Sequence, residues 1–343
     1  MLVRGTCSES VRIERDDVTL RPDAGFAAVI SGPDSAVDTL TVTGARVTLD
    51  GIEIMGGRDG ISGLGATSLT VRNAEVRSAA RTGLFLSGSS GVIDGTSVQH
   101  NGRDGVAVEG GQATIINSTI SRNVRNGIVV GVGSGLRIGL DNVNQGAGNT
   151  ISENGTIGVV IVAGGSALIA MNRITGNSAV GISINNGAAD LLGGNTISDN
   201  LGAGLNLRMG SAVIGNPALG FTTVNTFERN GSVAGISAFL GSSIAVRDAV
   251  IRDNFGAGIV LSTRSNAQLS SSVIQGNRTV GNSQGDGVRV LLGSTLLVTP
   301  VAGAPLPIIS GNEGWGVQCF DSASIVLTNG ASIFGNALGD VSC

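Results

Sequence analysis

The sequence has no lysine and no tyrosine, and among its 343 residues are one histidine, three cysteines, six prolines and nine Phe or Trp. Without lysine or tyrosine, mechanisms that need an amine or phenol as base are excluded. Charged residues make up 13% and the net charge is −4, so general affinity for nucleic acid is not expected and any basic site must be local. No run of about 18 apolar residues occurs, so no membrane-spanning helix is expected. No basic-then-apolar signal peptide opens the chain at Met1-Leu2-Val3-Arg4. Scarce proline and the lack of a Gly-X-Y period exclude a collagen-like fibre despite 56 glycines. A hydrophobic content of 41% excludes a disordered chain.

What is present is a repeat. A Gly followed by alternating apolar residues recurs at Gly60, Gly83, Gly105, Gly127, Gly158, Gly181, Gly204, Gly235, Gly258, Gly287 and Gly316, with Asp340 in the twelfth place. Spacings of 22 to 24 residues lengthen to 29 or 31 at four points. Inserted loops are therefore expected near 137–149, 214–225, 278–286 and 298–307. Val18-Thr19-Leu20 and Val47-Thr48-Leu49 mark two earlier coils. The first and third residues after most anchors are apolar, as in Leu84/Leu86, Val106/Val108, Ile128/Val130 and Ile259/Leu261, which is the period of a strand with one buried face. Upstream of the anchors from Gly105 onward runs an Asn series: Asn101, Asn123, Asn154, Asn177, Asn200, Asn230, Asn254, Asn277, Asn312 and Asn336. Three residues before each stands Val98, Ile120, Ile151, Ile174, Ile197, Phe227, Ile251, Ile274, Ile309 or Ile333, an inward stack. Gly and Asn interrupt any helical stripe, so short strands and sharp turns are expected to stack as a parallel β-solenoid with like residues in columns.

The expected fold is all-β: one domain over 1–343, with irregular opening coils at 1–59 and regular repeats at 60–343, 12 to 14 coils in all. Asn is expected in the turn because it tolerates left-handed backbone angles and because stacked amides bond along the axis. A second Asn column is expected at Asn149, Asn172, Asn195 and Asn225. Twelve coils at the spacing of paired strands make a rod of roughly 55 Å. Terminal strands of such a stack are open edges, and no amphipathic capping helix is readable at either end. Cover by loops, another domain or a partner is expected, unless the chain is a fragment.

The phrase from Ile120-Ser121-Arg122-Asn123 to Gly127-Ile128-Val129-Val130, repeated ten times, resembles the repeat of right-handed parallel β-helix proteins, the pectate-lyase-like superfamily. The opening Gly5-Thr6-Cys7-Ser8-Glu9-Ser10-Val11 resembles the first coil of its secreted members. The resemblance implies a β-helix working outside the cytoplasm, in the periplasm, at the cell surface or secreted, and a role with polysaccharides. The motifs of its enzymes do not follow. Polygalacturonase-like hydrolases pair Asp-Asp with Gly-His-Gly and Arg-x-Lys. Here Asp16-Asp17 lies in the opening coil and the single His is in Gln99-His100-Asn101. Epimerase-like Asp-Pro-His with a Tyr is absent. An Arg base with carboxylate-held calcium would need acids on neighbouring coils of one face. The second residue after the anchors (Ser62, Phe85, Ala107, Val129, Val160, Ser183, Asn206, Ser237, Val260, Arg289, Gln318) is never acidic. No cofactor and no metal site are expected.

Two residues before successive anchors stand Arg58, Arg81, Arg103 and Arg125, which stacking would set in a column. Asp59 and Asp104 are the evident partners and Arg122 lies close. The column reads either as a stripe for a uronate or sulfated glycan, onto which guanidinium forks well, or as a solvated turn. Just before the Asn ladder stand His100, Arg122, Glu153, Asp199, Arg229 and Asp253. They read as surface residues, with Arg229 pairing between Asp199 and Asp253. His100, near Arg103 and Asp104, reads alternatively as a general base. Asp141 and Asp286 fall in the inserted loops, and Trp315 in a turn where it could meet a sugar ring. Cys319 and Cys343 stand three past Gly316 and Asp340, within reach of a disulfide if the coils stack, and otherwise two thiols in a column. A bridge there would suit an oxidising compartment and leaves Cys7 unpaired. The expected function is a rigid surface for an extended, anionic polysaccharide or cell-surface glycan. A lyase or glycoside hydrolase working from the loops, and a structural rod of an adhesin or surface assembly, are the alternatives.

Overall fold

The computed structural model describes the chain except residues 66–67, 142, 216–219, 232 and 328–330. Parts of the expected insertions 137–149 and 214–225 therefore lie outside the described residues. Two compact units form, Met1–Ala167 and Leu168–Cys343, each built from coils of three short strands. Among the described residues there are 42 strands, three for each of 14 coils, and every third strand falls in the same sheet. All ladders between these strands are parallel, because paired strands are separated by one full coil that brings the chain back in its starting direction.

Register follows the repeat. In the first unit Val76, Val98, Ile120 and Ile151 are successive Cα partners in the second sheet, and Leu84, Val106, Ile128 and Val159 in the third. In the second unit the second sheet runs Ile174, Ile197, Phe227, Ile251, Ile274, Ile309 and Ile333. These side chains have no solvent exposure except Ile333, in the last coil, which is half-buried. Full burial of each Ile or Leu is worth about 1.5–3 kcal/mol, so the columns are the core.

The three corners of a coil each carry a hydrogen-bonded column. Between the second and third strands runs the Asn ladder. Asn101 donates from its backbone N–H (3.1 Å) and Nδ2 (2.9 Å) to Asn123 Oδ1, and Asn123 does the same to Asn154. Each Nδ2 also reaches back to a carbonyl of the preceding coil, Asn123 to Val98 O at 3.2 Å. Between the first and second strands stand Thr96, Ser118 and Asn149 in one unit, and Asn172, Asn195 and Asn225 in the other. Between the third strand and the next coil a serine column runs through Ser242, Ser265 and Ser294, whose hydroxyls accept Gly210 N at 3.3 Å, Ser242 N at 3.1 Å and Ser265 N at 3.1 Å in turn. This last column was legible in the spacing of its serines from Gly235, Gly258 and Gly287 but is not expected from an Asn-centred reading.

One expectation is corrected here. The ladder asparagines do not take the left-handed conformation; the residue before each does. His100, Arg122, Glu153, Asp199, Arg229 and Asp253 have φ between 50° and 57°, and Gly176, Gly276, Gly311 and Gly335 take the same place in other coils. The turn must reverse before the Asn so that its amide points inward, at about 1–2 kcal/mol for each non-glycine residue. The anchor Gly serves the same ladder by its lack of a side chain. A Cβ on Gly105 would lie 2.5 Å from Ile120 Cγ2 and 2.7 Å from Asn123 Nδ2, both in the following coil.

On the outer face of the first sheet of the second unit, Asp190 is half-buried opposite Val213, and burial raises its pKa above the ordinary carboxylate value. A raised folded-state pKa means the ionised form destabilises the fold at neutral pH, while below the unfolded-state pKa that cost is absent. Asp190→Asn is therefore expected to raise the urea midpoint at pH 7 and to leave it unchanged at pH 3. Gly105→Ala should lower stability by about 1–3 kcal/mol through overpacking. Gly135→Ala, whose Cβ would meet nothing closer than 3.8 Å, should change it by less than about 0.5 kcal/mol in the same denaturation series. Equal losses for the two would show that the close approach to the ladder is not what demands glycine.

Candidate functional site: an arginine column beside the third sheet

The Asn corner of the first unit places the arginines. Each turns out of the coil two residues before the anchor, and their main chains are joined in single file. Arg81 N donates to Arg58 O, Arg103 N to Arg81 O and Arg125 N to Arg103 O, each at 2.7 Å. Below, Arg58 N bonds to Val37 O, and above, Thr156 N bonds to Arg125 O, so Thr156 occupies the arginine place in the next coil. Arg58, Arg81 and Arg125 are exposed and Arg103 is half-buried. The four side chains thus start from consecutive rungs about 4.8 Å apart.

Their neutralisation is uneven. Arg58 forks onto buried Asp38 (Nε to Oδ1 2.9 Å, Nη2 to Oδ2 3.1 Å) and lies 3.8 Å from Asp59 Oδ2. The Asp38 hydrogen bonds and charge hold the guanidinium more firmly protonated than usual. Arg81 is 4.0 Å from Asp59 Oδ1, an atom that also accepts the Thr82 N–H at 2.9 Å. The pairing expected between Asp104 and the column does not form. Asp104 is buried and its Oδ1 accepts Asn126 N (3.1 Å) and Asn126 Nδ2 (2.8 Å), while Thr156 Oγ1 donates to Asn126 Oδ1. Backbone donors inside the turn claim the carboxylate before a mobile arginine can. Arg122 pairs with Glu153 at 2.8 Å and takes no part. Among the described residues Arg103 and Arg125 have no acidic partner.

Other expected residues are held structurally. His100 is an exposed turn residue in the left-handed conformation, and among the described residues it forms no ion pair. Asp17 forks onto Arg46 (2.7 and 2.8 Å), which holds its carboxyl below the ordinary value, and Asp16 Oδ1 accepts Ala45 N. Asp141 accepts Val143 N and Gln145 N, closing its own loop. Asp286 is fully buried, accepts Trp315 N and Arg289 Nε at 2.8 Å each, and so fixes the 278–286 insertion. Arg229 bonds to Asp199 (2.8 Å) and Glu228 (2.7 Å) rather than bridging Asp199 and Asp253; Asp253 lies 3.9 Å from Arg278 instead. Glu228, one strand position before the turn, stands at a position that is Ser198 in the preceding coil and Arg252 in the following one, so no column of acids marks it. Trp315 is half-buried and lies over Gly339. Cys319 and Cys343 are joined by a disulfide with their Cα atoms 4.6 Å apart, and Cys7 is free.

One acid pair escaped the sequence reading. Glu53 and Glu75 are Cα partners on adjacent coils of the second sheet, 22 residues apart, a spacing that could have revealed them. Arg77 contacts Glu53 and stands 3.5 Å from Glu75, while Gln99 Nε2 donates to Glu75 Oε1. The two carboxylates therefore form a charge-paired network on that face. Among the described residues no three His, Cys, Asp or Glu side chains converge as metal ligands, and no helix is long and apolar enough to cross a membrane.

A family model described as a right-handed β-helix region matches residues 11–144, 59–217 and 112–300. No curated protein matches the chain. Among solved structures, the A-module of the Azotobacter vinelandii mannuronan C-5 epimerase AlgE4 is 15% identical with a TM-score of 0.47, over 95% of this chain and 89% of that one. The catalytic unit of a thermostable GH87 α-1,3-glucanase from Streptomyces thermodiastaticus strain HF3-3 is 13% identical with a TM-score of 0.48, over 96% and 63%. The periplasmic alginate epimerase AlgG is 14% identical with a TM-score of 0.46, over 88% and 73%. With parallel coils, inward aliphatic columns and an Asn ladder in both units, and a family model spanning most of its length, the chain belongs to the right-handed β-helix family.

Proposed function

We propose that the protein works outside the cytoplasm as a binding module, and that the arginine column of its first unit holds an extended anionic polysaccharide. The observation that carries this reading is the single file of Arg81, Arg103 and Arg125, of which, among the described residues, only the first stands within 4.0 Å of an acid. Like charges on adjacent rungs repel, and an anion lying across them relieves that repulsion. Guanidinium forks suit carboxylate and sulfate alike. The turn backbone is tied to the coils on both sides, so the ordering on binding is confined to the arginine side chains. The reading assigns no catalytic residue, because Asp17, Asp141, Asp286, Glu53 and Glu75 are each held by an arginine or by backbone donors.

A glycan array of uronate and sulfated polymers, read beside assays for unsaturated products and new reducing ends, tests this. Binding to anionic polymers is expected, weakening as salt is raised. The Arg103→Ala/Arg125→Ala double variant should lose about tenfold or more in affinity, with its denaturation midpoint little changed because among the described residues neither side chain has an acidic partner to lose. Retained affinity in that variant would move the site elsewhere, and product formed from any polymer would replace a binding role with catalysis.

A further inference from the structure

We infer that one corner of the second unit, where the third strand of each coil turns into the next coil, docks on a lipid surface with anionic headgroups. Met209, Leu240, Leu292 and Phe320 stand at this corner and expose between 40% and 52% of their surface. Main-chain bonds set the corner in successive rungs: Met209 N donates to Phe239 O (3.3 Å), Gly241 N to Thr263 O (2.9 Å), Arg264 N to Leu292 O (3.0 Å) and Gly293 N to Asp321 O (3.0 Å). Met209, Leu240 and Leu292 take left-handed angles with φ of 52°, 55° and 51°, where Gly65, Gly88 and Gly110 hold the same corner of the first unit. A bulky residue is strained at such an angle, which glycine adopts without cost. Half-exposed side chains recover little of that strain through burial, so the fold itself does not account for them. The ridge continues onto Phe239 and Leu291, which pack against buried Ala234, Ala257 and Val260.

Charge and shape select the occupant. Arg208 and Arg264 are exposed along the ridge, and among the described residues neither forms an ion pair. Asp321 is the acid of this corner and stands at its last rung. On the side of the first sheet the ridge borders an uncharged column, Ser211, Ser243, Asn266, Thr295 and Ser324. A protruding file of apolar side chains encloses no small ligand, because sites for those are concave. A second copy docked about a two-fold axis through the middle rung would set Arg264 against its own equivalent. An axis along the stack would oppose both arginines to their copies. A bilayer surface satisfies both features: Leu, Met and Phe side chains enter the boundary between headgroups and acyl chains, and the arginines meet the phosphates.

The test is sedimentation of the full chain with phosphatidylcholine vesicles, with and without phosphatidylglycerol. Partition is expected onto the anionic vesicles, weakening as salt is raised, and should be about tenfold or more weaker onto phosphatidylcholine alone. Leu240→Gly/Leu292→Gly removes two apolar side chains where the backbone suits glycine. It should lose about tenfold or more in partition while its denaturation midpoint falls no lower than that of the wild type. Arg208→Gln/Arg264→Gln should lose about tenfold on anionic vesicles. The arginine column of the first unit is intact in both variants, so full partition retained by either would place vesicle binding elsewhere and overturn the inference. Equal partition onto both kinds of vesicle, or partition onto neither, would overturn it as well. So would a dimer that forms without lipid and is lost in the leucine double variant, because a second copy would then cover the ridge.

Discussion

The fold depends on one close approach: the amide of each ladder Asn fits into the space that a side chain on the preceding coil's anchor Gly would fill. At Gly105 and Asn123 a methyl group would overlap both the amide and the neighbouring isoleucine. Because the amide must also accept two N–H groups from the coil before it, the distance between coils cannot relax outward without breaking those bonds. Gly and Asn thus set the coil spacing together, and the buried aliphatic columns supply the favourable free energy that holds it. An amide left unpaired in such an interior would cost about 1–3 kcal/mol, so every rung constrains its neighbour.

This spacing positions the candidate site. Four arginines scattered through 68 residues of sequence become a single file only because their turns are bonded one to the next. The charge left uncompensated on that file then comes from competition for the nearby acids. A backbone N–H fixed in a turn loses little freedom when it bonds a carboxylate, whereas an arginine must surrender several rotors. Asp104 consequently serves Asn126, and the guanidinium of Arg103 stays available. Asp38 behaves differently because its two oxygens face Arg58 in a geometry that both nitrogens can reach.

Much of this was legible in the sequence, and the limits have physical causes. Ile120 and Ile151, or Ile174 and Ile197, announce their pairing because a solenoid turns sequence period directly into register. The arginine column was legible for the same reason. Its partners were not: Asp38 lies in the opening coils, off the regular spacing, so no period linked it to Arg58. The left-handed residue was misplaced by one position because propensity favours Asn there, whereas inward burial of the amide decides the geometry. Glu53 and Glu75 were not legible because they lie beside Ile54 and Val76 in coils that precede the first ladder Asn, the residue that marks the second sheet in the sequence. Arg229 was assigned one wrong partner because a column of turn residues hid the nearer Glu228 on the adjoining strand.

The ladder amides all point the same way, each oxygen toward the coil before it and each nitrogen toward the coil after. Such a row has a head and a tail, and every interior rung presents the same two faces. Within either unit, removing one whole turn of the chain would bring together surfaces that already match, whereas removing half a turn would oppose donor to donor. Natural lengthening or shortening of a protein built this way is therefore quantised: it can grow or shrink by entire turns with its interior grammar intact, and the number of charged rungs on its flank can change by the same unit step.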